Sequence, residues 1–272
     1  MTRCTLADPG EVSKPAGFKW RGVSRRCMRY PKGGRIDATA PSLRRLSDKE
    51  LTHERLGDAF ASAQNDYDTR RRVQVVVDEF LTDQMVLGKH ALDVGCGLGH
   101  FSRRLRQRGA QVTATDIGPG LVEKTRRFSG CRAEVADALA LVDRFGPDRF
   151  DLVVSSECIE HTPEPSAALQ QMAAVLRPGG FLALSTPNLL WLPMVKLATR
   201  LRMRPFDGHE HFSTWGSIRA VLKRCGVDVQ RELGLHLFPF QLRMHRFSTW
   251  CDRRLQFARG VMINIAILGR KQ

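Results

Sequence analysis

The sequence predicts an α/β fold: a doubly wound, mostly parallel sheet, with helices ahead of its first strand and a lid insertion towards its end. Three observations predict it. Short apolar runs recur at residues 91–94, 111–115, 133–136, 151–155 and 181–185. Helical stretches separate most of them, the rhythm of a parallel sheet covered on both faces. A glycine-rich turn, Gly95-Cys96-Gly97-Leu98-Gly99, joins the first run to a helical stretch at 102–107. Glycine permits the tight turn and close approach of a ligand, and the helix N-terminus behind it offers unpaired N–H groups.

A chain of 272 residues suits one such domain with extensions. Hydrophobic residues make up 42% and charged residues 26%, ordinary values for a globular protein. No apolar run approaches the ~20 residues a bilayer-spanning helix requires. The formal net charge is +15, and residues 1–35 hold nine Lys/Arg against two Asp/Glu. The expected division is therefore a basic, unstructured leader over 1–41 and a folded domain over 42–272. The leader has no continuous apolar stretch behind its charges, as a secretory signal would. Its charge does invite a nucleic-acid reading, since Lys/Arg neutralise phosphates. The seven cysteines are scattered, without a C-x-x-C pair. That favours a reducing, cytoplasmic setting without structural disulfides.

Within the domain, residues 42–87 carry Leu, Phe and Val at three- and four-residue intervals, which predicts one or two helices around the run Arg70-Arg71-Arg72. A helix through 169–176 should end at Arg177-Pro178-Gly179-Gly180, a sharp turn into the fifth strand. Residues 188–213 are long for a loop and contain a basic amphipathic stretch at 189–204, the expected lid. A helix at 214–225, a strand at 227–235, a Phe/Pro/Trp-containing excursion over 236–258 and a last strand at 261–268 complete the chain.

The acidic residues around the glycine turn sharpen its meaning. Asp93 precedes the first glycine by two residues, where a carboxylate can reach a cofactor ammonium. Asp116, followed by Ile117, closes the second strand about twenty residues beyond the glycines, suited to accept from ribose hydroxyls. Asp137-Ala138 closes the third strand, placed for an adenine amino group. One aspartate closing a strand is an ordinary cap or turn residue; here three stand in register.

These residues resemble the class I S-adenosylmethionine-dependent methyltransferases over roughly residues 88–190. The resemblance implies a seven-stranded Rossmann-like sheet with a reversed last hairpin and S-adenosyl-L-methionine as cofactor. The implied contacts are Asp93, Gly95, Cys96, Gly97, Gly99, Asp116, Ile117, Asp137, Ala138 and the post-strand Ser156. It further implies that one arginine of 70–72, with Arg71 as the candidate, meets the methionine carboxylate; a solvated helix face is the other reading of the triplet.

Beyond the fourth strand, Glu157-Cys158-Ile159-Glu160-His161 places two carboxylates and an imidazole at the sheet edge where open α/β proteins bind ligands. This arrangement is similar to the ubiquinone-pathway O-methyltransferases and also recurs in small-RNA 2′-O-methyltransferases. In both, the resemblance implies a divalent metal, Mg2+ or Mn2+, held here by Glu157, Glu160 and His161, with His211 as a further ligand. A metal or a general base would activate a hydroxyl, and the catalytic candidates are His161 and Glu160; the other reading of the Glu-His pair is a pocket wall without metal. Thr186-Pro187-Asn188 should line the rim.

The 189–204 stretch mixes Leu, Trp and Met with Lys and Arg, fit to close over an apolar substrate or to contact a membrane surface. The expectation is an O-methyltransferase acting on a small hydrophobic or aromatic hydroxyl compound. RNA 2′-O-methylation, N-methylation of a small molecule and a degenerate binding protein of the same fold are the competing readings.

Overall fold

In the computed structural model, residues 66–200, 210–238 and 244–272 are described. The leader at 1–41, the helical pattern over 42–65, the end of the lid at 201–209 and part of the aromatic excursion at 239–243 lie outside them.

The first described element, α1 (Asp66–Val73), continues into a π-helical turn over Gln74–Glu79. Val75, Val76 and Val77 are fully buried there, and three consecutive apolar residues can all face inward because the wider turn shifts their phase. Of the arginine triplet, Arg70 is exposed while Arg71 and Arg72 are each 4% exposed. The solvated-face reading therefore holds for Arg70 alone. A short α2 (Asp83–Val86) leads into the sheet.

The strands are β1 (His90–Val94), β2 (Gln111–Asp116), β3 (Arg132–Val135), β4 (Phe150–Ser156), β5 (Leu176–Pro187), β6 (Val227–Leu235) and β7 (Asn264–Lys271). They form one sheet in the order β3-β2-β1-β4-β5-β7-β6. The first five run parallel, and β7 inserts antiparallel between β5 and β6, the seven-stranded sheet and reversed hairpin expected. Between them lie α3 (His100–Gln107), α4 (Pro119–Ser129), α5 (Leu141–Phe145) and α6 (Pro165–Val175). Helices cover both faces, so strand residues alternate between two cores. Leu152 and Val154 join the layer beneath the N-terminal helix; Val153 joins the other with Met172 and Leu222.

Two boundaries differ from the sequence expectation. The helix ends at Val175 and the strand begins at once with Leu176, so residues 177–180 are no connecting turn. They bulge from β5: Phe150 pairs with Leu176 while Leu152 pairs with Phe181. A Cβ on Gly180 would stand 2.9 Å from two backbone carbonyl oxygens, so the bulge is packed too closely for a side chain there. The last strand starts at Asn264 rather than 261, because residues Gln256–Val261 coil into a 3-10 segment. Asn188 holds that segment, its Nδ2 donating to the carbonyls of Gly260 (2.9 Å) and Met262 (3.0 Å).

The expected lid leaves the sheet at Asn188 and returns at Ser213, which bridge each other. Its described part is a 3-10 turn, Leu189–Trp191, then α7 (Leu192–Arg200). After it come α8 (Trp215–Arg224), opened by a Thr214/Ser217 capping box, and, beyond β6, α9 (His245–Arg254).

Candidate active site

Because β1 and β4 are adjacent and parallel, with Val94 beside Ser155, the loops after them open at the same edge. This is where the sheet's winding reverses and a crevice forms. After β1, the chain turns through Gly95, Gly97 and Gly99 with φ of 72°, 52° and 82°, a left-handed region that side chains rarely adopt. The space differs between them. A Cβ on Gly95 would lie 2.5 Å from Cys158 Sγ, whereas one on Gly97 would meet nothing within 4 Å. Gly95 is thus a packing point between the two loops, and Gly97 a cradle open to a ligand.

Asp93 is 2% exposed, and its carboxylate accepts a short hydrogen bond from Ser102 Oγ on α3. Burial pushes its pKa up to about 7. Asp116 ends β2 and accepts from Gly97 N and Gly118 N, each at 3.0 Å. Asp137 accepts from Leu139 N at 3.0 Å. These bonds fix the orientation of both carboxylates at the strand ends. Ile117 and Ala138 flank them, half-buried and buried. Cys96 is buried in the loop, and burial raises its thiol pKa well above the usual value.

The second loop begins with Ser156, whose Oγ lies 2.8 Å from Ser185 Oγ and accepts from Arg72 Nη1 at 2.8 Å. The guanidinium at the strand ends is therefore Arg72. Arg71, the candidate from sequence, turns the other way: it donates to Glu79 (2.9 Å) and Gln74 (3.2 Å) and lies 3.8 Å from Asp252. Successive helical residues point about 100° apart, a phase three consecutive arginines conceal.

Glu157 adopts φ 52° and accepts from Asn264 Nδ2 (3.0 Å) and Ser185 Oγ (3.3 Å). Burial, reinforced by Glu160, pushes its pKa up to about 8. Glu160 is 1% exposed and accepts from Thr186 Oγ1 at 3.0 Å; burial pushes it up to about 7. His161 is half-buried beside it, with Nε2 3.9 Å from Glu160 Oε1. His211 reaches Glu160 only through its backbone, which donates to the Glu160 carbonyl at 2.8 Å, while its side chain is exposed.

The structure does not gather the expected metal ligands Glu157, Glu160, His161 and His211 into one cluster. Among the described residues, no three His, Cys, Asp or Glu side chains form a group that could hold a metal ion. Glu157 and Glu160 are turned to different protein donors, Asn264 and Thr186. Thr186, Ser185, Asn264 and Ser102 went unrecognised in the sequence as carboxylate partners. Only Thr186 had a local signal, its place at the end of the fifth strand.

A sequence model of the methyltransferase-domain family matches residues 66–232. The chain belongs to the class I S-adenosylmethionine-dependent methyltransferases. Relatives of this methyltransferase include a ubiquinone biosynthesis O-methyltransferase from Xanthomonas euvesicatoria, 32% identical over 179 residues, covering 61% of this chain and 74% of that one. A protein of the same name from Aeromonas salmonicida is 29% identical, with 59% and 73% covered. Among solved structures, an S-adenosylmethionine-dependent methyltransferase from Mesorhizobium loti aligns with a TM-score of 0.57 at 19% identity, covering 73% of this chain and 98% of that one. Magnesium protoporphyrin IX methyltransferase from Synechocystis, with bound S-adenosylhomocysteine, aligns at 0.55 and 18% identity, with 84% and 89% covered. S-adenosylmethionine is the cofactor of this methyltransferase.

Two expectations follow from the site's packing and charge. Gly95→Ala should lower S-adenosylhomocysteine affinity at least tenfold by calorimetry, since the new methyl must displace Cys158. Gly88→Ala, also at positive φ (72°) but with open space around it, should cost about 1 kcal/mol of stability and leave affinity unchanged. The second concerns pH. Asp93, Glu157 and Glu160 bind protons more tightly folded than unfolded, so their contribution is complete below about pH 4 and is lost as pH rises through 7 to 8. Without cofactor, the melting temperature should fall between pH 6 and 8.5, and Glu157→Gln should flatten that slope.

Proposed function

We propose that this methyltransferase acts on a hydroxyl oxygen of a small, hydrophobic or aromatic molecule, with His161 as the base that takes the hydroxyl proton. The observation that carries this reading is the pairing of Glu160 with His161 at the cofactor edge. Burial pushes the Glu160 carboxyl up to about 7, and the half-buried imidazole of His161 lies 3.9 Å from it. Bound S-adenosylmethionine supplies an electrophilic methyl group on its sulfonium. A hydroxyl is a weak nucleophile until a base removes its proton, and a base is most effective with a pKa near the working pH. Glu160, once ionised, stabilises the imidazolium that His161 becomes.

In this reading Asp93 receives the cofactor's ammonium, while the backbone around Gly95, Cys96, Gly97 and Gly99 follows its chain. Asp116 and Ile117 hold the ribose, Asp137 and Ala138 the adenine. Arg72, with Ser156, meets the carboxylate in the place the sequence assigned to Arg71. Fixing both reactants supplies ~7 to 11 kcal/mol of the barrier reduction in favourable cases. An apolar acceptor is consistent with the ubiquinone biosynthesis O-methyltransferases among the relatives and with apolar side chains exposed on the lid and on α9. Leu190, Met194 and Leu197 on the lid, and Phe247 and Trp250 on α9, are all exposed, and ligand sites are lined mostly by such apolar and aromatic side chains. Lys196, Arg200 and Arg246 stand among them, which also suits contact with a lipid surface presenting such a substrate; no helix among the described residues is long and apolar enough to cross a membrane.

The reaction needs no metal in this reading. Glu160→Gln should lower kcat about 100-fold and remove the rise in kcat through pH 7, with S-adenosylhomocysteine affinity within twofold; an unchanged pH–rate profile would refute its role. Treatment with a strong chelator should leave turnover unaltered. Activity lost to the chelator and restored by Mg2+ or Mn2+ would overturn the metal-free mechanism.

A further inference from the structure

The face of α1 that carries Arg72 is gripped by the excursion after β6, at residues more than 160 positions away. Tyr67 stacks on His245 with ring centroids 4.0 Å apart and donates from its hydroxyl to the His245 carbonyl at 3.0 Å. One residue on, Asp68 binds two ways. Its Oδ2 accepts from Arg72 Nη2 (2.8 Å) and Nε (3.1 Å), a two-pronged grip on the guanidinium. Its Oδ1 lies 2.9 Å from Nε2 of His236. His236 is fully buried and adopts φ 60° directly after β6. A non-glycine residue in the left-handed region is uncommon, and such a placement persists where surrounding structure demands one side-chain position.

We infer that Asp68 and His236 are positioning residues for methyl transfer: His236 fixes Asp68, and Asp68 fixes Arg72 in the orientation that receives the cofactor's carboxylate. The inference rests on the role given to Arg72 above. An arginine side chain has several rotatable bonds, and its planar fork is selective only when held. The grip of Asp68 on Nε and Nη2 leaves Nη1 directed to Ser156, so the guanidinium is preset before ligand arrives. The charges suit this task. Although burial opposes its ionisation, Arg72 and His236 hold the Asp68 carboxylate well below the usual range. A buried ion pair of this kind is weak evidence for stability, because desolvation offsets its attraction; its placement between the excursion and the cofactor crevice gives it a reason to exist.

The test uses the full chain and five proteins: wild type, Asp68→Asn, His236→Asn, Arg72→Ala and the Asp68→Asn/Arg72→Ala double variant. Asparagine is isosteric with Asp68. At position 236 it tolerates the left-handed backbone but is too short to reach Asp68. Affinity is measured by calorimetry for S-adenosylhomocysteine and for 5′-methylthioadenosine, which lacks the amino-acid end, with melting temperatures alongside. Asp68→Asn and His236→Asn should each weaken S-adenosylhomocysteine about tenfold, the scale of one charge-assisted hydrogen bond, and raise KM for S-adenosylmethionine to match. Affinity for 5′-methylthioadenosine should stay within twofold, and kcat at saturation within about threefold. Asp68→Asn should add no further loss in an Arg72→Ala background. If Arg72→Ala weakens S-adenosylhomocysteine while Asp68→Asn does not, the positioning inference fails alone. Equal losses for both ligands, or a full further loss in the Arg72→Ala background, would also overturn it, because Asp68 would then act through the fold. If Arg72→Ala binds both ligands as wild type does, the role of Arg72 itself is refuted. Should His236→Asn fail to fold, Asp68→Asn still decides the matter.

Discussion

The β1–β4 pairing governs the site. Ala91 lies beside Leu152 and Val94 beside Ser155, so two strands far apart in the sequence end level with each other. Everything chemical in the crevice follows from that shared edge: the glycine loop leaves one strand as the Ser156–His161 loop leaves the other. Their contact at Gly95 and Cys158 is tight enough that one methyl group would part them. Burial keeps the Cys158 thiol protonated, so this joint acts as an apolar contact between the two loops. A slip of one residue in this register would turn each strand's side chains to the opposite face, exchanging the two cores and dispersing the site together.

The N-terminal helix is the second support, and it works through charge. Arg72 lies close enough to Glu157 and Glu160 to be stabilised by both, and each is held lower than burial alone would leave it. The helix thus does more than cover the sheet: its apolar side fills the core at Val75, Val76 and Val77, and its basic side balances acids at the strand ends. The π-helical turn makes both possible, because its altered phase buries three valines in a row just after the arginines have met their partners.

What the sequence made legible was local. Alternating apolar runs, the glycine turn and the strand-closing aspartates each lie within a dozen residues, where spacing and periodicity carry information. The sheet, the cofactor and the edge holding Glu157, Glu160 and His161 followed from them. Contacts joining distant segments were not legible. Nothing near Asn264 signals that it holds Glu157 107 residues away, and nothing near His236 points to Asp68. Arg71 and Arg72 stand side by side in sequence and differ only in helical phase, which a continuous π-helical segment makes harder still to assign. The metal set came from the family resemblance, and a resemblance does not say that Thr186 and Asn264 donate to those carboxylates.

The site is acidic within a chain of net charge +15. Burial pushes Asp93 and Glu160 up to about 7 and Glu157 up to about 8, so all three titrate within reach of neutral pH. S-adenosylmethionine brings an ammonium and a sulfonium into the crevice, and a nearby cation favours the ionised carboxylate. Binding would therefore draw protons out of the site and leave Glu160 ionised beside His161, the state in which the imidazole is the stronger base. With His161 as the proposed base, the group that supplies the methyl would also prepare the base that needs it, and the product would carry no sulfonium charge. The carboxylates then lose a reason to stay ionised, which favours reprotonation and release of S-adenosylhomocysteine.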